Sequence, residues 1–330
     1  MIIPKIHMAP MMGWTDRHFR YLLRRICPSV LLYTEMITTG ALIYGKRLHL
    51  LDHDASEHPL LVQFGGCDPD HLYQCALLAH DRRYTGVNLN VGCPSSRVQA
   101  GNMGAALFKD KDRLVCCVAA MVRSGLPVSV KLRIGVDDCD DLSYLIDVVK
   151  SVKDAGCRFV QIHARKAWLK GLNPRQNRTV PPLNYARVLE LADALGDFPI
   201  VLNGGLVCLD TCEEFLQQFS GVMIGRKACE DPWFLRDLHH RIAGNERLMS
   251  KVDVLKNYLD YSQMQIAAGV RPSQVFKPLY TLMKGCRNAK KYRTALMTLS
   301  RAEPTEIKAS LPNIRQELIH YIDLGDQHYA

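Results

Sequence analysis

The chain has 330 residues, of which 48% are hydrophobic and 23% are charged, and its formal net charge at pH 7 is +9. This balance is typical of a globular protein and excludes an intrinsically disordered chain. No apolar run approaches the roughly 20 residues that cross a bilayer, and the N-terminal residues lack the pattern of a secretory signal, so we expect a cytoplasmic protein without a membrane partner.

Twelve cysteines raise the question of a metal site or of disulfide bonds. Their spacing favours neither, because there is no C-x-x-C pair, Cys116 and Cys117 are adjacent, and Cys208 and Cys212 are four positions apart. In a reducing compartment, scattered cysteines are usually small buried hydrophobic residues. We therefore predict no metal site.

Short apolar runs alternate with segments of helical periodicity up to about residue 240. Near-continuous apolar strands separated by helices indicate an α/β protein with a parallel sheet covered on both faces, and eight of them match a (β/α)8, or TIM, barrel. A doubly wound open sheet is the alternative, but neither G-x-G-x-x-G nor G-x-x-x-x-G-K-[ST] occurs. The predicted strands are Ile6–Ala9, Leu31–Thr34, Leu60–Phe64, Val87–Asn90, Val128–Lys131, Phe159–His163, Ile200–Asn203 and Val222–Ile224. The helices predicted between them include Asp16–Cys27, Pro69–His80, Asp112–Val122, Leu142–Ala155, Tyr185–Leu195 and Asp210–Gln217.

Beyond Gly244-Asn245-Glu246 the pattern changes to helices only. Short turns between them predict an all-helical, four-helix bundle-like domain over residues 244–330, following a barrel domain over residues 1–243. Its predicted helices are Val252–Ala268, Val275–Met283, Lys290–Leu299 and Ile307–Leu324.

This helical region is strongly basic. Residues 261–302 contain eight Lys or Arg residues and no acid, with Lys290, Lys291 and Arg293 in the densest part together with Lys284 and Arg287. Such a run is either a solvated helix face or a docking surface for a polyanion. The absence of acids in a basic protein favours the polyanion.

Two consecutive predicted strands end on glycine, in Asn203-Gly204-Gly205 and in Gly225-Arg226. The loops after strands 7 and 8 of a parallel barrel often bind phosphate through exposed backbone amides. Glycine lets the backbone approach closely, and Arg226 adds a charged donor. Although a Gly-Gly pair alone is often only a turn, its recurrence on neighbouring strands favours a phosphate site.

Three further polar side chains end or interrupt strands: Gln63 in strand 3, Lys131 in strand 5 and His163 in strand 6. A cation, an imidazole and an amide around one cavity suit a flat, carbonyl-rich ring such as an isoalloxazine, because a lysine stabilises the anionic reduced flavin and an amide reads the pyrimidine edge. His163 alone would be read as an ordinary strand-end histidine. The neighbouring phosphate site favours the flavin interpretation.

Cys93 follows strand 4 between a glycine and a proline, in Asn88–Pro94, whereas most other cysteines lie in helical or apolar patterns. It could be a nucleophile, although no base is assigned to it, or a general acid, since a neutral thiol can donate a proton. The acid role fits a flavin pocket better.

In their order along the chain, these motifs resemble the tRNA-dihydrouridine synthases, and within them subfamily A. The resemblance covers nearly the whole chain. It is carried by Ala9-Pro10-Met11-Met12, Trp14–Arg17, Tyr33–Met36, Gln63–Gly66, Asn88–Pro94, Lys131–Gly135, His163–Trp168, Lys170–Arg178, Asn203–Gly205 and Gly225-Arg226. Gly13, Phe64 and Leu132 depart from the expected pattern, which affects the fine geometry of the substrate site rather than the proposed acid or the phosphate loops.

The resemblance implies an FMN-binding barrel followed by a helical tRNA-binding domain. NADPH, rather than NADH, is expected to reduce FMN; a hydride then passes to C6 of a uridine in the tRNA D-loop, at position 20 and, as in many members of subfamily A, also at 20a, and Cys93 protonates C5. The residues implied to hold FMN are Pro10, Met11, Gln63, Lys131, His163, Asn203, Gly204, Gly205, Gly225 and Arg226. Asn90, Arg175 and Arg178 match positions that contact RNA, and Lys290, Lys291 and Arg293 are expected to add a second contact from the helical domain.

Two alternatives stay open at this point. A small-molecule FMN oxidoreductase of the dihydroorotate or dihydropyrimidine type would share the barrel and the phosphate loops but would not need the basic helices. A non-catalytic tRNA-binding protein would need no intact Cys93, Lys131 and His163. We expect a monomer.

Overall fold

Eight strands alternate with helices in the computed structural model, which describes residues 2–244, 248–284 and 288–326. The strands are β1 (Ile6–Met8), β2 (Leu32–Thr38), β3 (Leu60–Gly65), β4 (Gly86–Asn90), β5 (Val128–Arg133), β6 (Phe159–His163), β7 (Ile200–Asn203) and β8 (Gly221–Ile224). The α-helices are α1 (Arg17–Ile26), α2 (Thr39–Ile43), α3 (Pro69–Asp81), α4 (Ser96–Gln99), α5 (Lys111–Val122), α6 (Leu142–Asp154), α7 (Tyr185–Leu195), α8 (Leu209–Leu216), α9 (Arg226–Glu230), α10 (Trp233–Ala243), α11 (Lys251–Ala267), α12 (Pro272–Phe276), α13 (Ala289–Arg301) and α14 (Pro304–Asp326).

The strands form a closed parallel sheet. They pair in the order β1-β8-β7-β6-β5-β4-β3-β2. The remaining edge, between β1 and β2, is bridged because the Leu31 amide donates to the Ile6 carbonyl at 2.8 Å and the Met8 amide donates to the Leu31 carbonyl at 2.9 Å. The predicted (β/α)8 barrel is confirmed.

The barrel interior combines an apolar cluster with buried polar side chains. Alternate residues of each strand face inwards, and burying one large apolar side chain there contributes roughly 1.5–3 kcal/mol. The cluster consists of Ala9, Leu31, Tyr33, Leu61, Phe159, Val201 and Met223. Gln63, Asn88 and Gln161 are also at most 1% exposed, so their polar atoms need partners within the protein.

Local sequence signals explain many of the element boundaries. Helix α3 begins after Asp68, whose carboxylate accepts a hydrogen bond from the His71 amide at 2.9 Å, with Pro69 at the first helical position. Strand β2 is longer than predicted because its pairing with β3 shifts register between Tyr33 and Met36, which interrupts the alternation expected of a regular strand.

The chain divides into two compact units. The first contains the barrel strands, and the second contains Trp14–Pro28, with α1, and the helices from Arg226 onwards. The division therefore lies upstream of the predicted boundary after residue 243; Asn245 and Glu246, which marked that boundary, lie outside the described residues.

Packing within the second unit explains this division. The rings of Tyr21 in α1 and Tyr261 in α11 are stacked with centroids 3.8 Å apart. His18 Nδ1 and the Tyr261 hydroxyl are 2.8 Å apart, and Trp233 Nε1 in α10 donates to the Leu282 carbonyl at 2.8 Å. Helices that look like barrel elements in the sequence thus pack against the C-terminal helices.

One predicted helix is wrong. Instead of a single helix over Val275–Met283, α12 ends at Phe276 and a short 3-10 helix covers Lys277–Thr281. Pro278 has no amide hydrogen and clashes with a preceding helical turn, so an α-helix cannot run through it without a kink or a break. Within the described residues, no helix has the length and apolar character needed to cross a bilayer.

Candidate active site at the carboxyl end of the barrel

Cys93 lies on a loop directly after β4 whose backbone is held from both sides. The Oδ1 atom of Asn90 accepts from the amides of Gly92 at 3.2 Å and Cys93 at 2.9 Å. The Cys93 carbonyl accepts from the Ala105 amide at 2.9 Å. The Cys93 residue is partly exposed, and its backbone is fixed in place.

Neighbouring side chains and a glycine hold the same loop. Gln99 Nε2 donates to the Pro94 carbonyl at 2.7 Å. Gly104 has φ +65°, and a Cβ atom there would lie 2.6 Å from the Cys93 carbonyl oxygen. A glycine is therefore needed for this close approach of two backbone segments.

Arg133, at the end of β5, ties the Cys93 loop to the loop after β6. Its Nε atom donates to the Gly92 carbonyl at 2.9 Å, and its Nη1 atom donates to the carbonyls of Lys166 at 3.1 Å and Asn177 at 3.0 Å. Burial lowers the pKa of Arg133 to about 10, which still leaves it charged at neutral pH. The sequence motif contained Arg133, but nothing in the pattern revealed this bridging role.

Lys131 and Asn203 meet across the barrel mouth. Lys131 Nζ donates to Asn203 Oδ1 at 3.0 Å, and Asn203 Nδ2 donates to the Met223 carbonyl at 2.7 Å, which fixes the orientation of the amide. Burial, followed by repulsion from Arg133, lowers the pKa of Lys131 to about 7. The lysine is thus poised to gain a proton when an anionic group lies beside it.

The backbone after β7 strongly favours glycines. Gly204 has φ +111° and Gly205 has φ +70°, in the region that side chains rarely adopt. A Cβ at Gly204 would lie 2.4 Å from Cδ2 of His163, and one at Gly205 would lie 2.7 Å from the Tyr185 hydroxyl. That hydroxyl donates to the Gly204 carbonyl at 2.8 Å, which stabilises the turn.

The segments after β8 and β1 adjoin each other. Gly225 precedes α9, which begins at Arg226, and a Cβ at Gly225 would lie 3.5 Å from Sδ of Met11. Met11 and Pro10 follow β1 and are partly exposed. Among the described residues, no hydrogen bond uses the amides of Gly204, Gly205 or Gly225. These amides are available to an anionic ligand.

Gln63 and Asn90 form a buried pair of amides. Asn90 Nδ2 donates to Gln63 Oε1 at 2.8 Å, so the strand-3 amide and the Cys93 loop are linked through one residue. The structure brings together Gln63 with Asn90 and Cys93, Lys131 with Asn203, and His163 with Gly204.

The sequence profile of the dihydrouridine synthase family matches residues 7–319. The chain belongs to this family. It is 41% identical to the tRNA-dihydrouridine(20/20a) synthase of Vibrio parahaemolyticus over 88% of this chain and 89% of that protein. It is 42% identical to the enzyme of the same name from Pseudomonas putida over 88% of each chain.

Solved structures support the fold assignment. A morphinone reductase structure superposes with a TM-score of 0.51 at 11% sequence identity, covering 74% of this chain and 87% of that chain. A mutant of the same enzyme in complex with tetrahydroNAD gives a TM-score of 0.52 at 10% identity, covering 72% of this chain and 86% of that one. At such low identity the likeness concerns the barrel fold.

The loop after β6 in this dihydrouridine synthase is organised by a buried asparagine. Asn177 is fully buried; its Nδ2 donates to the Trp168 carbonyl at 2.9 Å and its Oδ1 accepts from the Trp168 amide at 2.8 Å. Arg178 Nε donates to the Pro174 carbonyl at 3.0 Å, so this predicted RNA contact also stabilises the loop. Arg175 is exposed.

A cluster of cations lies on the first turns of α13. Lys290, Lys291 and Arg293 are exposed, whereas Tyr292 between them is buried. The start of a helix carries a partial positive charge that disfavours cations, so helix stability does not explain them. In the parts of the chain that the structure describes, none of the three forms an ion pair. Arg287 lies outside those residues.

Proposed function

We propose that this protein is an FMN-dependent synthase that reduces a D-loop uridine of tRNA to 5,6-dihydrouridine, with Cys93 as the proton donor. The observation that carries the proposal is the partly exposed residue Cys93, whose loop is fixed through Asn90, in a chain of the dihydrouridine synthase family. The names of the relatives from Vibrio parahaemolyticus and Pseudomonas putida support uridine 20, with 20a in addition, as the site. We also propose that the protein acts as a monomer in the cytoplasm.

The residues at the strand ends fit FMN. The unused amides of Gly204, Gly205 and Gly225, together with Arg226, suit its phosphate. Lys131, Gln63 and His163 suit its ring, and Pro10, Met11 and Asn203 complete the proposed binding set. When bound, FMN supplies the hydride, which NADPH has delivered to it beforehand.

The chain's own contribution to the reaction is the proton. Reducing the C5=C6 bond of uracil requires a hydride at C6 and a proton at C5, and a neutral thiol can supply that proton. Asn90 and Ala105 hold the backbone of Cys93 on both sides, so the thiol need not be ordered anew for each substrate. The resulting thiolate regains its proton from water after the product leaves.

The uridine has to leave the tRNA stack to reach a pocket at the barrel mouth, which requires a basic docking surface around it. We assign this surface to Arg175 and Arg178 on the loop after β6, while Asn90, which is buried, contributes by holding the Cys93 loop. Lys290, Lys291 and Arg293 of the helical unit supply a second, separate contact with the RNA. In this proposal the tRNA-binding unit comprises α1 and the helices from Arg226 onwards rather than residues 244–330 alone.

The test is an anaerobic reaction of the purified protein with FMN, NADPH and unmodified tRNA transcript, with dihydrouridine mapped by position. Dihydrouridine at position 20 supports the proposal. If NADPH bleaches the flavin but neither the transcript nor tRNA from cells lacking this enzyme gains dihydrouridine, while a free pyrimidine is reduced, the proposal is overturned in favour of a small-molecule oxidoreductase.

The low pKa of Lys131 leads to a prediction about FMN binding. Below pH 7 the free protein already carries the ammonium, whereas above its pKa of about 7 FMN binding must take up a proton. FMN affinity should therefore fall by about tenfold for each pH unit above 7, until the pKa of the complex is reached. Titration of the apoprotein by flavin fluorescence between pH 6 and 9 measures this slope.

The control for this prediction is Lys131→Met, which keeps the length of the side chain but cannot be protonated. It should bind FMN more weakly at pH 6 and lose most of the slope. Parallel pH curves for the two proteins would show that another group takes up the proton.

The cations of α13 lead to a prediction about tRNA binding. Changing Lys290, Lys291 and Arg293 to glutamine should weaken binding and reduce the slope of log affinity against log salt by about 2, because each lost phosphate contact removes roughly 0.7–0.9 from the slope. Filter binding at salt concentrations between about 50 and 300 mM, a range in which the Debye length stays near or below roughly 14 Å, gives the slope.

A matched control removes three other cations. Lys150, Lys153 and Arg158 are exposed on α6 and the segment before β6, which is the opposite end of the barrel from Cys93. Changing them to glutamine alters the net charge equally, but should leave the salt slope nearly unchanged. If both triple variants lower the slope by the same amount, the docking surface is not on α13.

A further inference from the structure

A continuous line of buried, hydrogen-bonded side chains runs through the interior of the barrel and ends at the Cys93 loop. Each member is at most 9% exposed. We call this line the interior chain; its members are Asn90, Gln63, Asn88, Gln161, Tyr33 and His7. Two of them, Asn88 and Asn90, are two positions apart on β4, so both face the interior.

The half of the interior chain nearest the candidate active site consists of side-chain amides. Asn90 Nδ2 donates to Gln63 Oε1 at 2.8 Å, and Gln63 Nε2 donates to Asn88 Oδ1 at 2.7 Å. Asn88 Nδ2 donates to Gln161 Oε1 at 2.8 Å and also lies 2.8 Å from the Ser129 hydroxyl. Each amide thus uses its oxygen on one side and its nitrogen on the other.

The other half ends on the backbone that precedes β1. Gln161 Nε2 donates to the Tyr33 hydroxyl at 3.1 Å, and this hydroxyl is 2.9 Å from Nδ1 of His7. His7 Nε2 is 2.8 Å from the Pro4 carbonyl oxygen. The line therefore starts at the carboxyl end of β4 and finishes at the amino end of β1.

Backbone groups at the two ends fix the direction of every bond in the interior chain. The Pro4 carbonyl can only accept, so Nε2 of His7 carries the proton and Nδ1 accepts from Tyr33. Burial lowers the pKa of His7 to about 4, which agrees with a neutral ring at physiological pH. Because the Tyr33 hydroxyl donates its proton to His7, its oxygen accepts from Gln161 Nε2. The Gln161 oxygen is then the acceptor for the next amide, and each following amide is oriented in the same way.

The end of the interior chain at the Cys93 loop requires the same direction of hydrogen-bond donation. The amides of Gly92 and Cys93 can only donate, and they meet Oδ1 of Asn90. If every hydrogen bond of the interior chain ran in the opposite direction, Asn90 would turn its Nδ2 group towards these two amides, and donors would face donors. A buried group left without a partner is costly, so the Cys93 loop would have to move.

We infer that the interior chain is a positioning device, in which Asn88, Gln161, Tyr33 and His7 fix the orientation of Gln63 and Asn90 and thereby hold Cys93 in place. These four residues act through others and are not catalytic. The inference rests on the proposed function only for the role of Cys93 as proton donor. It makes the geometry of the proton donor depend on residues on strands β1, β2 and β6.

The test breaks hydrogen bonds of the interior chain far from Cys93 and measures the effect at Cys93. Tyr33→Phe removes one oxygen atom and disconnects His7, and Gln161→Leu removes both of its bonds. We expect the rate of Cys93 alkylation by iodoacetamide to change by about fivefold, and kcat for dihydrouridine formation to fall by about tenfold with KM for tRNA unchanged. Peptide mass spectrometry resolves Cys93 from the exposed Cys116 and Cys208, which serve as internal references.

The matched control is Ser129→Ala. It also removes one buried hydroxyl bonded to Asn88, but Asn88 can still donate to Gln161, so the chain stays intact. We expect Cys93 alkylation and kcat to stay within about twofold of the unaltered protein. Urea unfolding of all variants separates loss of stability from loss of positioning.

Equal Cys93 alkylation and kcat in Tyr33→Phe, Gln161→Leu and Ser129→Ala overturn the inference. If Gln161→Leu does not fold, Tyr33→Phe decides, because it alters the packing least. If the unaltered protein forms no dihydrouridine, the proposed function fails, but the alkylation rates still decide whether the interior chain positions Cys93.

Discussion

Replacing Cys93 with alanine is expected to reduce dihydrouridine formation by about 10²–10⁴-fold, the range typical for loss of a general acid. The loop should keep its shape, because its bonds to Asn90 and Ala105 use only the backbone of residue 93. FMN affinity and tRNA affinity should therefore be unchanged. Anaerobic single-turnover reactions with reduced enzyme and unmodified tRNA measure the reduction step directly.

Two companion variants make this result specific. Cys116→Ala removes an exposed cysteine of α5 and should react at the normal rate. Cys93→Ser replaces the thiol with a hydroxyl of similar size, but a hydroxyl is a much weaker acid than a thiol, so its rate should stay close to that of the alanine variant. Turnover by Cys93→Ala within tenfold of the unaltered enzyme would remove Cys93 from the role of proton donor.

The barrel was predictable because burial on both faces gives each parallel strand a near-continuous apolar run. Strands β6 and β7 and helix α7 were predicted with their observed bounds. The assignment of α1 to the helical unit was not predictable, since the contact that decides it, Tyr21 on Tyr261, joins residues far apart in the sequence. Pro278 was a visible warning against the helix predicted over Val275–Met283.

The residues proposed for the site were easier to single out in the sequence than the buried residues that hold them in place. Cys93, Lys131 and the glycines after β7 and β8 stand at strand ends, where polar or glycine residues interrupt an apolar pattern. Asn88 and Gln161 lie inside strands, and a buried polar residue in a strand reveals neither its partner nor its direction. The only sequence signal was the Asn-Leu-Asn pattern of β4, which places two amides on the inner face.

A second large effect, on FMN binding, is expected from a substitution at the glycines after β7. Gly204→Ala should weaken FMN binding by at least about 100-fold, because the new methyl group would lie 2.4 Å from Cδ2 of His163 and the backbone at φ +111° is strained for any side chain. Either the imidazole or the turn must move, and both belong to the proposed FMN site. Fluorescence titration of the apoprotein with FMN gives the dissociation constant, and calorimetric Tm values give the loss of stability.

Gly125→Ala separates backbone strain from the effect on the site. Gly125 also has a positive φ, +82°, but a Cβ there would meet no atom within 4 Å, and it lies between α5 and β5 at the end of the barrel opposite Cys93. Backbone strain should cost each variant about 1–2 kcal/mol of stability, the close contact with His163 should cost Gly204→Ala more, and only Gly204→Ala should lose FMN. If FMN binds equally to both, the turn after β7 does not hold the phosphate, and the amide of Gly225 with Arg226 would be the remaining candidate for that role.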